Sequence, residues 1–188
     1  MTHDTYRNAI AWIRVLRPLV WGGAALLLLT PWVAMRFTDE VAWMGGDFVV
    51  FGAMLLAGCV AFETTARVAR VPSYLLAGAI SIGAGFLLLW ANLAVGIVDE
   101  PGHRANLLFL GVLVVGALGA GVARLQARGM SRVLVAMALA QMAAGGIAMG
   151  MDTQESPTFV LAFTGLYVVA WLLSALLFHK AARALAAG

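Results

Sequence analysis

The chain has 188 residues, of which 63% belong to the apolar set and 11% are charged, against about 25% charged in an ordinary soluble domain. A mean hydropathy of +0.94 spread over the whole length excludes a soluble fold and leaves no stretch for an extramembrane domain, so the chain reads as a single integral membrane domain, 1–188. The sequence pI of about 9.6 does not point to nucleic acid, because the basic residues fall in short interruptions between apolar runs, where membrane topology places them.

A hydrocarbon core about 30 Å thick takes roughly 20 helical residues. Six stretches come close to that: Pro18 to Met35, Val41 to Phe62, Leu75 to Val98, Asn106 to Ala123, Val133 to Met151, and Phe159 to Phe178. The first follows basic residues as a signal peptide would. However, Thr30-Pro31-Trp32-Val33-Ala34-Met35 lacks the small-x-small cleavage pattern, so the segment is expected to stay as a helix. In the second, Gly45-Gly46-Asp47 interrupts the run, and its purely apolar part begins at Phe48. Continuous apolar runs such as Leu107 to Val115 do not alternate as barrel strands must. The expected fold is therefore all-α, a bundle of six transmembrane helices.

The connections are Arg36 to Glu40, Glu63 to Tyr74, Asp99 to Ala105, Arg124 to Arg132, and Asp152 to Thr158. Ten of the twelve Lys and Arg (Arg7, Arg14, Arg17, Arg67, Arg70, Arg124, Arg128, Arg132, Lys180 and Arg183) lie in the two tails and in the second and fourth connections. Only Arg36 and Arg104 lie on the other side. An even number of spans puts both termini together, and the excess of Lys and Arg makes that side cytoplasmic, an N-in, C-in topology. Asp39, Glu40, Asp47, Asp99, Glu100, Asp152 and Glu155 then face outward, opposite Asp4 and Glu63. Short acidic tips after spans one, three and five hint at three stacked hairpins.

Between helices in lipid, small residues permit the close backbone approach that drives association. Ala77, Ser81 and Gly85 share a stripe of span three, Gly116, Gly119, Ala120 and Gly121 crowd span four, and span five carries both an Ala136, Ala140, Ala144, Ala148 stripe and Gly146-x-x-x-Gly150. Contacts within the bundle are the first use expected of these faces, and a dimer seam the second. Trp21 and Trp171 fall toward the inner ends of their spans and Trp32, Trp43 and Trp90 toward the outer ends, as aromatic belts do.

The residues able to carry chemistry are few. His3, His103 and His179 lie in tails or loops, so no transmembrane bis-histidine haem is expected, and Cys59 is the single cysteine. No other cofactor is implied. Glu63 and Arg67, an i, i+4 pair at the inner end of span two, read as a structural ion pair before a proton relay. Asn92 and Gln141 are the strong polar groups inside the spans, with interhelical hydrogen bonding the default role and substrate contact the alternative. Asp99, Glu100 and His103 offer oxygen and imidazole ligands for a divalent cation, but their spacing matches no recognised site, and solvated loop acids are the plainer reading.

Phe37-Thr38-Asp39-Glu40-Val41 with Trp43, Asp47-Phe48-Val49-Val50-Phe51-Gly52, Trp90-Ala91-Asn92-Leu93-Ala94-Val95-Gly96-Ile97, Ala105-Asn106-Leu107, Arg128-Gly129-Met130 and Trp171 to Phe178 together resemble a group of small multi-pass bacterial membrane proteins of uncharacterised function. The resemblance implies a location in the bacterial inner membrane and no activity, cofactor or catalytic residue. Three functions stay open in this order: an accessory or scaffolding membrane subunit working with a partner protein or as a homo-oligomer, a small transporter or channel, and a membrane-embedded enzyme or metal-dependent sensor.

Overall fold

The computed structural model describes residues 3–151 and 155–187, with side chains from residue 15 onward. All its regular structure is helical: α1 (His3–Ala34), α2 (Gly45–Val68), α3 (Pro72–Ala94), α4 (Arg104–Ala123), α5 (Ala127–Met149) and α6 (Pro157–Ala186). No strand forms among the described residues. Each of the six is long and apolar enough to cross a membrane. The tip of the fifth connection, Asp152-Thr153-Gln154, lies outside the described residues.

Helix ends depart from the apolar runs for local reasons. The first and last helices continue past the apolar stretch into the charged tails, so α1 holds 32 residues and α6 holds 30. A charged tail does not by itself stop a helix, and α1 runs on through Pro18 and Pro31. Proline at the first position of α3 and α6 marks where each begins. The second helix starts at Gly45 rather than Val41, because the Asp47 carboxylate turns back to accept the Met44 N–H at 2.7 Å, occupying an orphan donor of the first turn. The charged interruption of the apolar run is thus a helix start.

The chain divides into two compact units, Met1–Arg70 and Val71–Gly188. In the first, α1 and α2 form a hairpin in which Leu28 lies against Gly52, and Phe51, Met54, Leu55, Cys59 and Phe62 are buried.

The second unit is a four-helix bundle. Here α5 packs most closely on α6 and then on α4, while α3 packs on α6. Close approach of α4 and α5 depends on missing side chains: a Cβ at Gly116 would stand 2.7 Å from the Met137 sulfur, and one at Gly119 would stand 2.6 Å from Val133 Cγ1. Gly145 is likewise covered by Thr164 of α6. These contacts are the backbone approach through small residues that apolar surroundings require. Of the alanine stripe on α5, Ala144 and Ala148 are buried and Ala136 is exposed. The core is Ala77, Leu88, Phe109, Val112, Leu134, Trp171 and Phe178. Trp171 is thus a core residue with no exposed surface and not part of a belt, whereas Trp21, Trp32 and Trp90 are exposed.

At one end of this bundle the Tyr74 hydroxyl donates to the Leu125 carbonyl, and its ring meets Phe178 edge-on at 4.8 Å. The α4–α5 turn that supplies this carbonyl spans only residues 124–126, with Arg124 and Leu125 both at positive φ.

Candidate functional site

The α3–α4 connection forms at the opposite end of the four-helix unit, and it is organised by one side chain. Helix α3 stops at Ala94, four residues short of the apolar run, where Gly96 takes φ +83° and a Cβ would lie 2.6 Å from the Asp99 carbonyl. Only glycine combines that conformation with that approach. The chain then turns inward, and Ile97 and Val98 are buried.

Their backbone groups would be stranded there without Asn106, from the first turn of α4. Its Oδ1 accepts from both Ile97 N–H and Val98 N–H at 3.0 Å. Its Nδ2 donates to the Val98 carbonyl at 3.2 Å and the Glu100 carbonyl at 2.8 Å. The amide's two donors and two acceptor positions are all used, which is its full capacity. Asn92, in the last turn of α3, donates through Nδ2 to the Asn106 carbonyl at 2.8 Å. It therefore makes an interhelical bond within the same knot, at the helix end rather than well inside the span.

The candidate metal ligands belong to this loop. His103 caps α4, its Nδ1 accepting from Ala105 N–H at 3.3 Å, and its Nε2 stands 3.8 Å from the Asp99 carboxylate. Glu100 contributes its backbone carbonyl to Asn106. Among the described residues, no three of His, Cys, Asp and Glu gather as a metal site.

In the hairpin unit, Glu63 joins two guanidiniums. Arg67 donates through Nε to Oε1 at 3.0 Å along the helix, and Arg17 of α1 places its Nε 3.0 Å from Oε2 without hydrogen-bond alignment. The sequence pair Glu63 and Arg67 is therefore part of a triad that ties α1 to α2.

Gln141 differs from all of these. It is wholly buried in α5, and neither its amide nitrogen nor its carbonyl oxygen has a protein partner. Thr164 Oγ1, Trp171 Nε1 and Ser174 Oγ, all on α6, share that condition.

No protein-family model, curated protein or solved structure matches the chain. The site residues that sequence reasoning missed are Asn106, Thr164, Trp171 and Ser174. Asn106 marked only the edge of an apolar run, although an Asn opening a helix shortly after a Gly-containing turn is a plausible loop clamp. Thr164, Trp171 and Ser174 recur at i, i+7 and i+10, a helical stripe that could have been set against Gln141.

Proposed function

We propose that the chain is a multi-pass protein of the bacterial inner membrane, six spans with both termini in the cytoplasm, acting as an accessory or scaffolding subunit. The four-helix unit supports the orientation. Tyr74, Leu125 and Phe178 meet at the end that carries Arg124, Arg128, Lys180 and Arg183, while Asp99 and Glu100 occupy the other end, the polarity that the excess of internal Lys and Arg demands.

The observation that carries the scaffolding reading is an unused small-residue notch. Gly116, Gly119 and Gly145 are spent on contacts inside the bundle, but Gly146 has no heavy atom within 4 Å of a Cβ position and Gly150 meets only the carbonyl of Ile147 in its own helix. Both are exposed, flanked by exposed Met142 and Met149. A Gly-x-x-x-Gly groove beside adaptable methionines suits another transmembrane helix. Native mass spectrometry from nanodiscs should show a stoichiometric partner protein or a homo-oligomer, lost in Gly146→Leu. A wild-type protein that stays monomeric and alone would overturn the proposal.

A small transporter or channel is the second reading, favoured by the unpartnered amide of Gln141. Solute flux into proteoliposomes that is unchanged in Gln141→Ala would remove that support.

A further inference from the structure

Serines and threonines inside apolar helices ordinarily satisfy themselves by donating to the carbonyl one turn back. Thr30 does so to Leu26 at 2.9 Å, Thr64 to Val60 at 2.8 Å and Ser81 to Ala77 at 2.9 Å. The more deeply buried Thr164 and Ser174 make no such bond. The Thr164 hydroxyl is instead turned toward Gly145 of α5.

What they share is a stripe. Thr164, Trp171 and Ser174 line one face of α6 over about 15 Å at 1.5 Å per residue. Thr164 lies against Gly145 of α5, and the helices joined by the short α5–α6 connection run antiparallel. Gln141, one turn back along α5 from Gly145, therefore stands level with the interval between Thr164 and Trp171. The indole of Trp171 extends from there toward Gly85 of α3, where a Cβ would lie 3.9 Å from its ring. Four polar side chains, each more than nine-tenths buried, thus carry unpaired donors and acceptors in the four-helix unit, with Gln141 and Thr164 at the α5–α6 contact and Trp171 and Ser174 farther along α6.

Independently of the partner reading, we propose that the α5–α6 seam is a binding site for small neutral molecules carrying both a donor and an acceptor, water or a small primary amide. The inventory dictates the class. Gln141 supplies two donors and an acceptor oxygen, the hydroxyls supply both functions, and Trp171 supplies a donor. No Asp, Glu, Lys, Arg or His occurs between Leu134 and Ala148 or between Val160 and Phe178, so nothing there balances an ionic guest. Buried waters make two to four hydrogen bonds each to polar groups that are otherwise unsatisfied.

Radiolytic hydroxyl-radical labelling of the full chain in nanodiscs tests this, because radicals made from bound water mark the buried side chains beside it. Trp171 should label several-fold faster than Met54 and Phe109, buried elsewhere. Gln141→Leu should lower both that labelling and the Tm, since it removes a partnered group. Protection by added acetamide assigns the seam to an amide solute, and indifference to acetamide assigns it to water. Labelling of Trp171 no faster than that of Met54 and Phe109 overturns the proposal, as does a Gln141→Leu protein with a raised Tm, the signature of a truly orphaned amide. Should Gln141→Leu fail to fold, the wild-type labelling and Ser174→Ala decide.

Discussion

Replacing Asn106 by alanine isolates the energetics of the α3–α4 knot. The substitution leaves Ile97 N–H and Val98 N–H without an acceptor, at residues 2% and 0% exposed. Each buried donor left unpaired costs about 1–3 kcal/mol, so the pair sets a range of about 2–6 kcal/mol. Outward relaxation of the loop, which reaches the exposed Glu100 and Pro101 within three residues, should bring the loss to about 2–4 kcal/mol, within the range expected when a buried network is broken. Asn92→Ala removes only one interhelical bond and should cost about 0.6 kcal/mol, the average for such bonds in membranes. Reversible unfolding in mixed micelles, followed by tryptophan fluorescence, measures both variants. A loss below about 1 kcal/mol for Asn106→Ala, or one no larger than that for Asn92→Ala, would refute the claim that Asn106 organises the loop.

Gly145→Ala should destabilise the four-helix unit by about 1–3 kcal/mol through overpacking against Thr164, with Thr164→Ala recovering part of the loss in the double variant; thermal unfolding that ranks Gly145→Ala with the open-sided Gly146→Ala would contradict the packing. Gly96→Ala forces a side chain into positive φ against the Asp99 carbonyl and should cost at least about 1 kcal/mol, seen as faster proteolytic cleavage of the α3–α4 loop; wild-type cleavage rates would argue against the strained turn. A double-mutant cycle on Arg17→Ala and Glu63→Ala should give a coupling of about 0.2–1 kcal/mol that shrinks with salt, because the Arg17 and Glu63 side chains are 40% and 20% exposed; coupling above about 2 kcal/mol would mean a drier site than the geometry allows.

The charge distribution alone made the long apolar segments and their even number legible, since charged residues are too costly inside an apolar span to fall anywhere but between them. Helix ends were less legible. Asp47 looked like an interruption until its carboxylate was seen to close the first turn of α2, and Val95 to Val98 counted as helix because they are apolar. A hydrogen-bonding role for Asn92 could be read from residue type and position. Its partner could not, because that partner is a backbone carbonyl brought into place by the Gly96 turn.

The amino-acid sequence by itself determined an all-helical chain with six segments long and apolar enough to cross a membrane, because composition and hydropathy act locally and additively along the chain. Which face of each helix turns inward was decided only by the tertiary structure. Trp171 reads as an interfacial aromatic from its position, yet it is wholly buried because α3 brings Gly85 to its ring. The Ala144 and Gly146 stripes of α5 are equally small, but Ala144 and Ala148 are buried while Gly146 and Gly150 lie open. The unpartnered state of Gln141, Thr164 and Ser174 depends on rotamers and helix registers set by contacts between residues far apart in the chain, and no local pattern encodes those.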